Sequence, residues 1–121
     1  MAIVHKVEKK MKMDNWSIIK FQLFTYCYLY KIQISDADLN CLTLLVTEGD
    51  QELTSFCLKA HEKNIFSSIQ SVRNCLTKAE KKNLLIKEGK NKKKIYINPT
   101  LNIQSKGNIL LNYNFLSVAE S

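Results

Sequence analysis

The chain has 121 residues, a length that suits one domain, and 45% of them are hydrophobic, which is enough to build a core. With 24% charged residues, three glycines and one proline, the composition excludes a disordered or fibrous protein. The net charge of +7 is concentrated in residues 78–94, which hold eight lysines and two glutamates, and this local excess is typical of a phosphate-binding surface.

The sequence lacks the signals of a membrane or secreted protein. Its longest apolar run, residues 21–30, is interrupted by Gln22 and flanked by Lys20 and Lys31, so it is too short and too polar to span a bilayer. The first 14 residues are rich in lysine but have no apolar segment of the secretory type. We therefore expect a cytoplasmic protein of a bacterium or a phage-infected cell, with no membrane partner.

Four cysteines are spread along the chain, at Cys27, Cys41, Cys57 and Cys75. No two of them have CxxC spacing, and each stands among apolar residues, so we predict reduced, buried thiols. Histidine does not complete a zinc site, because His5 and His61 are not placed at ligand spacing. We expect no metal and no cofactor.

The first predicted element is an aromatic-rich helix over residues 15–30, begun by Asp14 or Asn15. Its inward stripe, at helical spacing, is Trp16, Ile19, Leu23, Cys27 and Tyr30. A strand is the alternative, because the segment is rich in β-branched and aromatic residues. Residues 1–34 are thus interpreted as a basic N-terminal arm followed by a packing or dimerisation helix.

Two further helices follow. Ser35 begins the first of them with capping-box spacing, and Gly49 ends it in a turn at residues 48–50. The next helix is predicted over residues 52–62, with a short break at Lys63 and Asn64. Their inward residues are expected to be Leu39, Cys41, Leu42, Leu45, Val46, Leu53, Phe56, Cys57 and Ala60.

A fourth helix leads into a basic hairpin. Ser67 or Ser68 can cap this helix, which runs to about Lys82 and ends at Asn83, a residue that tolerates the left-handed conformation. Residues 84–87 and 94–98 then read as two strands around a turn over 88–93, and Pro99 closes the second strand. Residues 100–121 are interpreted as a C-terminal strand extension, in which 101–103 and 109–115 form a second hairpin or add one strand.

This order of helices followed by a basic hairpin resembles the winged helix-turn-helix family over residues 35–99, in particular its MarR-type and plasmid or phage replication-type members. The matching run is residues 71–86, SVRNCLTKAEKKNLLI, in which Ala79 replaces the usual Leu and Asn83 the usual Gly. The resemblance implies a mainly α fold with a small β part: a winged helix-turn-helix with an N-terminal aromatic helix and a C-terminal strand or hairpin.

The predicted site combines the outward face of the fourth helix with the hairpin tip. A polar helix face fits the major groove, and lysines beside it contact phosphates. The expected nucleic-acid-binding residues are Ser67, Ser68, Gln70, Ser71, Arg73, Asn74, Thr77, Lys78, Lys81, Lys90, Asn91, Lys92, Lys93 and Lys94.

These residues predict a protein that binds double-stranded DNA as a transcriptional or replication regulator. Because symmetric DNA sites call for dimers, a homodimer through residues 15–30 or 109–115 is expected. The chain contains no Gly-rich phosphate loop, HExxH or GxSxG motif, so we do not expect an enzyme.

The alternative is a structural or assembly protein that uses the winged helix to contact another protein. Heavy use of Lys, Asn and Ile fits an AT-rich genome, and a small basic chain suits a bacteriophage product. Under this alternative the chain is a virion component or a subunit of a larger complex.

Overall fold

The computed structural model describes residues 2–118, which form four helices and five strands. In chain order these are β1 (Ala2–Met11), α1 (Asn15–Leu29), α2 (Asp36–Glu48), β2 (Gln51–Glu52), α3 (Leu53–Glu62), α4 (Ile69–Lys81), β3 (Leu85–Glu88), β4 (Lys94–Ile97) and β5 (Ile109–Val118). β1 and β5 form a two-stranded antiparallel sheet, whereas β2, β4 and β3 form, in that order, a three-stranded one. The described fold is therefore mixed α/β, richer in strand than the expected mainly α class.

Each helix begins at a side chain that accepts a hydrogen bond from its first turn. Asp14 caps α1, Ser35 caps α2 and Ser68 caps α4, as predicted. α3 is capped by Glu52, whose carboxylate accepts from the backbone N–H of Ser55 at 2.9 Å. Because these acceptors satisfy N–H groups that have no partner inside the helix, they fix where each helix starts.

The helix ends follow the residues that adopt left-handed backbone conformations. Gly49, Asn64 and Asn83 have φ values of 79°, 60° and 60° and stand just beyond α2, α3 and α4, as the sequence predicted. α1 ends earlier than expected, at Leu29, because Lys31 turns the chain with a φ of 57°. The prediction that Tyr30 points inward is therefore wrong, and its side chain is exposed.

One hydrophobic core joins all four helices and the three-stranded sheet. α1 contributes Ile19, Leu23 and Cys27 to it, so the helical interpretation of residues 15–30 is confirmed over the strand alternative. Both strands of the hairpin, β3 and β4, add to the same core through Leu85 and Ile95. All four cysteines are free thiols buried in this core, as predicted.

The chain ends form a ribbon that the sequence did not predict. β1 and β5 pair over ten positions, from Ala2 opposite Val118 to Met11 opposite Ile109. The predicted basic arm is thus mostly a strand, and the hairpin between 101–103 and 109–115 is wrong, because residues 99–101 form a 3-10 turn. The added strand is confirmed and extends to Val118. Residue 1 of the arm and residues 119–121 of the extension lie outside the described residues.

Candidate nucleic-acid interface

The start of α4 is fixed by two neighbouring serines. The Ser68 hydroxyl oxygen accepts from the backbone N–H of Ser71 at 3.1 Å, and the two hydroxyls lie 2.9 Å apart. Ser67, which precedes the cap, is exposed. Lys78 and Lys81 occupy the last turn of the helix, where positive charge is favoured by the helix dipole. The helix is therefore stabilised at both ends, with its N-terminus open beside Ser67.

The outward side of α4 is entirely polar. Its buried side is made by Val72, Cys75, Leu76 and Ala79. Diametrically opposite, at helical spacing, lie four exposed residues that we call the outer strip: Gln70, Asn74, Thr77 and Lys81. The side-chain amide of Gln70 donates to Asn74 Oδ1 at 3.0 Å, which orders these two amides along the helix surface.

One edge of α4 faces α2, and its predicted site residues already have partners. Lys78 Nζ lies 3.0 Å from Asp38 Oδ2, and the Asp38 side chain is only 12% exposed. Hydrogen bonding and the charge of Asp38 raise the pKa of Lys78, so the ammonium form is held in place. The hydroxyl of Ser71, on the same edge, already shares a hydrogen bond with the hydroxyl of Ser68. This edge joins α4 to the body of the protein.

The opposite edge of α4 faces α3 and the hairpin. Arg73 Nη2 lies 3.5 Å from the Thr54 hydroxyl of α3, and Glu80 Oε1 lies 3.9 Å from Lys87 Nζ of β3. Lys87 is largely shielded, with its side chain 14% exposed. The hairpin is therefore attached to the edge of α4 that carries Arg73.

The tip of the hairpin, residues 89–93, has an unusual backbone that exposes its lysines. Gly89, Asn91 and Lys92 have φ values of 89°, 62° and 52°. Lys90, Asn91, Lys92 and Lys93 are all exposed. Within residues 2–118, no ion pair involves Lys90, Lys92 or Lys93, which we call the tip lysines. Asp50 and Glu52 line the same surface cavity as Lys90 and Lys93, but neither carboxylate pairs with a tip lysine.

Lys94 differs from the tip lysines because acidic side chains surround it. Its ammonium lies 3.4 Å from Asp50 Oδ2 and 3.9 Å from Glu88 Oε1, and 5.9 Å from the centre of the Tyr96 ring. Tyr96 donates its hydroxyl hydrogen to Glu88 Oε2 at 2.7 Å, and this bond raises the pKa of Tyr96. These contacts brace the two strands of the hairpin below its tip.

The structure sorts the predicted site residues into two groups. Exposed on the outer strip, its flank or the hairpin tip are Ser67, Gln70, Arg73, Asn74, Thr77, Lys81, Lys90, Asn91, Lys92 and Lys93, with Arg73 partly covered. Ser68, Ser71, Lys78 and Lys94 instead have partners within the fold. The sequence did not reveal the acidic partners Asp38 and Asp50, because each approaches its lysine only through tertiary packing.

Within the described chain, no group of three or more His, Cys, Asp or Glu side chains is arranged to hold a metal ion. None of the four helices over residues 2–118 has the length and apolar character needed to cross a bilayer. Comparison with protein-family models, curated protein sequences and solved structures found no match to this chain.

Proposed function

We propose that this chain is a DNA-binding module of the winged helix-turn-helix type and acts as a transcriptional or replication regulator without catalytic chemistry of its own. One observation carries the proposal: the outer strip of α4 is wholly polar, and the Glu80–Lys87 contact attaches the hairpin with its tip lysines to the edge of the same helix. Duplex DNA offers a partner to each part, because base edges lie in a groove that phosphates border.

The order of the elements supports this arrangement. α2, β2, α3 and α4 are followed directly by the hairpin of β3 and β4, and β4 lies between β2 and β3 in the sheet. In the proposed fold, α3 and α4 are the helix-turn-helix and the β3–β4 hairpin is the wing. β2, only two residues long, closes the wing against the start of α3.

The outer strip supplies the groups that would read bases. An α-helix fits the major groove, where side-chain amides pair with adenine and a guanidinium with guanine. Gln70 and Asn74 now satisfy each other, and each keeps further donors and acceptors for a base edge. Arg73 lies weakly bound at 3.5 Å from Thr54, so its guanidinium is free to turn toward the groove.

Phosphate contacts would come from Lys81, the tip lysines and the exposed N-terminus of α4 beside Ser67. Lys78 and Lys94 are left out of this set, because contact with phosphate would require them to leave their carboxylate partners. Four lysines on phosphates give a log–log salt dependence with a slope of about −3.6.

The test compares two triple variants with the same change of charge. Lys90, Lys92 and Lys93 are changed to Glu in one, and the exposed Lys10, Lys12 and Lys106, which lie outside the helix-turn-helix and the wing, are changed to Glu in the other. Binding of a fluorescent duplex is followed by anisotropy between about 50 and 200 mM salt. The wing variant is expected to lose about 100-fold in affinity and most of its salt slope, and the control a few-fold. Equal losses, or no binding by the wild type at low salt, overturn the proposal.

A second candidate function is a structural or assembly role through protein contact. It is favoured by Phe24 and Tyr28, two exposed aromatic rings of α1 whose centres lie 6.3 Å apart. A wild-type chain that binds no duplex, but whose Phe24→Ser, Tyr28→Ser double variant loses its place in a purified assembly, would favour this role.

A further inference from the structure

The β1–β5 ribbon has two chemically different faces. Because side chains alternate along a strand, the odd-numbered residues of both strands share one face, which we call the apolar face. It consists of Ile3, His5, Val7, Lys9, Met11, Ile109, Leu111, Tyr113, Phe115 and Ser117. Every partly buried residue of the ribbon lies on this face. The other face is exposed throughout, and its middle is polar, with Lys6 and Glu8 ion-paired at 3.0 Å.

The described chain leaves most of the apolar face open to solvent. No residue of β1 or β5 belongs to the hydrophobic core or packs against it, and the extensive contacts of the ribbon are those between its own two strands. Tyr113 and Phe115 are therefore 50% and 59% exposed. Large apolar side chains in one continuous exposed stripe, rather than scattered singly, mark an interaction surface.

The ribbon leaves the body of the protein at a fixed point. The side-chain oxygen of Gln22 in α1 accepts a hydrogen bond from the backbone N–H of Gln104 at 2.8 Å, and its side-chain amide donates to the Gln104 carbonyl at 2.6 Å. This pair of bonds anchors the chain just before β5. β1 ends at Met11, three residues before the Asp14 cap of α1. Beyond this base the strands extend for about 33 Å, and a two-stranded sheet of this kind is only marginally stable in water unless something packs on it.

We propose that the apolar face packs on the same face of a second copy of this chain, forming a dimer through a four-stranded, two-layer sandwich. The exposed side chains of the face offer on the order of 600 Å² per copy, given that one aromatic side chain spans about 150–250 Å². Two such faces bury about 1,200 Å² in total, which reaches the lower end of specific protein interfaces.

The pattern of the face suits self-association. Every pair of opposed residues includes an apolar side chain, so the stripe is unbroken from Ile3 to Met11. In the proposed dimer, the two-fold axis passes through the Val7–Tyr113 pair, and the strands of the two layers run antiparallel. Phe115 of each copy then lies over Leu111 of the other copy. The one lysine of the face, Lys9, then lies opposite His5 of the other copy rather than opposite Lys9, so the two lysine ammonium groups are not buried against each other.

Two adjacent residues provide a matched test. Phe115 and Leu116 are 59% and 56% exposed, neighbours in sequence, and point to opposite faces of the ribbon. Sedimentation velocity is run on the full chain from about 1 to 100 µM, with circular dichroism to compare the folds. The wild type and Leu116→Glu are expected to dimerise, and Phe115→Glu to raise the dimer dissociation constant by about 30-fold or more.

A wild type that stays monomeric at ~100 µM overturns the proposal. An equal effect of the two substitutions on dimerisation also overturns the proposal. Such a result is expected if the ribbon unfolds, if the copies exchange β1 or if they pair edge to edge, because none of these processes distinguishes the two faces.

Cross-linking tests the same contact without a destabilising charge. Val7→Cys is placed on the apolar face at the proposed axis, and Lys6→Cys on the other face; the four native thiols are buried. Mild oxidation is expected to link Val7→Cys into a covalent dimer and to leave Lys6→Cys mostly monomeric. Equal cross-linking of the two variants would contradict the layered arrangement.

Discussion

The ammonium group of Lys78 lies 3.0 Å from a carboxylate oxygen of Asp38, so the last turn of α4 is tied to the first turn of α2. The two residues are forty positions apart in sequence. The contact orients α4 within the fold and removes Lys78 from the charges that are available to a polyanion. Lys81 lies about one turn further along α4 and belongs to the outer strip. It forms no ion pair with a carboxylate of the described residues.

Lys78 and Lys81 are therefore expected to differ in what they contribute. Lys78→Met should lower the free energy of unfolding by about 1 kcal/mol, because the Lys78 side chain is 58% exposed and water screens the pair, and should leave the salt dependence of DNA binding unchanged. Lys81→Met should leave stability unchanged and reduce the salt slope by about 1. Urea unfolding and anisotropy titrations measure both quantities. Equal loss of slope in the two variants would mean that Lys78 leaves Asp38 to bind DNA.

Ser68→Ala should destabilise the protein by about 1 kcal/mol, because it removes the acceptor at the N-terminus of α4. Ser67→Ala is the matched control, since Ser67 is exposed and stands one residue before the cap. Urea unfolding followed by circular dichroism gives both values. If the two substitutions cost the same, the cap does not fix the start of α4.

Leu23→Ala should destabilise the whole protein by about 2–5 kcal/mol, because Leu23 is fully buried in the core shared by α1 and the other helices. Phe24→Ala, at a half-exposed neighbouring position, should have a much smaller effect. A single thermal transition that shifts as a unit is the expected observation in calorimetry. An unchanged main transition in Leu23→Ala would instead make α1 a separate packing element.

Asp14 should make stability sensitive to acid. The backbone N–H of Ser17 donates to its carboxylate at 2.8 Å and lowers the pKa of Asp14 below its ordinary value of 3.8. A carboxyl group with a lowered pKa in the folded state contributes stability that is present above 3.8 and is lost as pH falls through the folded pKa.

The comparison is with Asp14→Asn, which keeps a capping oxygen but cannot ionise. The difference in melting temperature between the wild type and this variant should be constant from about pH 7 to pH 5 and shrink below about pH 4. The difference cancels the titration of all other carboxyl groups. A difference that is independent of pH down to about pH 2.5 would show that the charge of Asp14 does not contribute.

The helices were predictable because their boundaries are local. Ser35, Ser68 and Asn83 each act through hydrogen bonds or backbone angles within a few residues, and these preferences are legible in sequence. β1 was missed because its partner residues are 98 to 116 positions away along the chain, and no short turn connects the two strands. β2 was missed because two residues carry no periodic pattern.

The candidate site was likewise predictable where it depends on local spacing within one helix, and not where it depends on tertiary contacts. Helical spacing alone placed Gln70, Asn74 and Lys81 on one exposed strip, since a period of 3.6 residues separates them from the buried side of α4. Spacing could not show that Lys78 and Lys94 are neutralised, because Asp38 and Asp50 reach them across the fold.

The buried cysteines give the chain a built-in reporter of its own fluctuations. Burial raises the pKa of the Cys27 and Cys57 thiols, so at neutral pH both are protonated as well as shielded. An alkylating reagent can then react only when the core opens, and the rate of labelling measures how often it does so. Comparing the rates of cysteine labelling in the presence and absence of a DNA duplex would show whether a partner bound at α4 makes the core open less often. The buried thiols that report this opening do not themselves contact the partner.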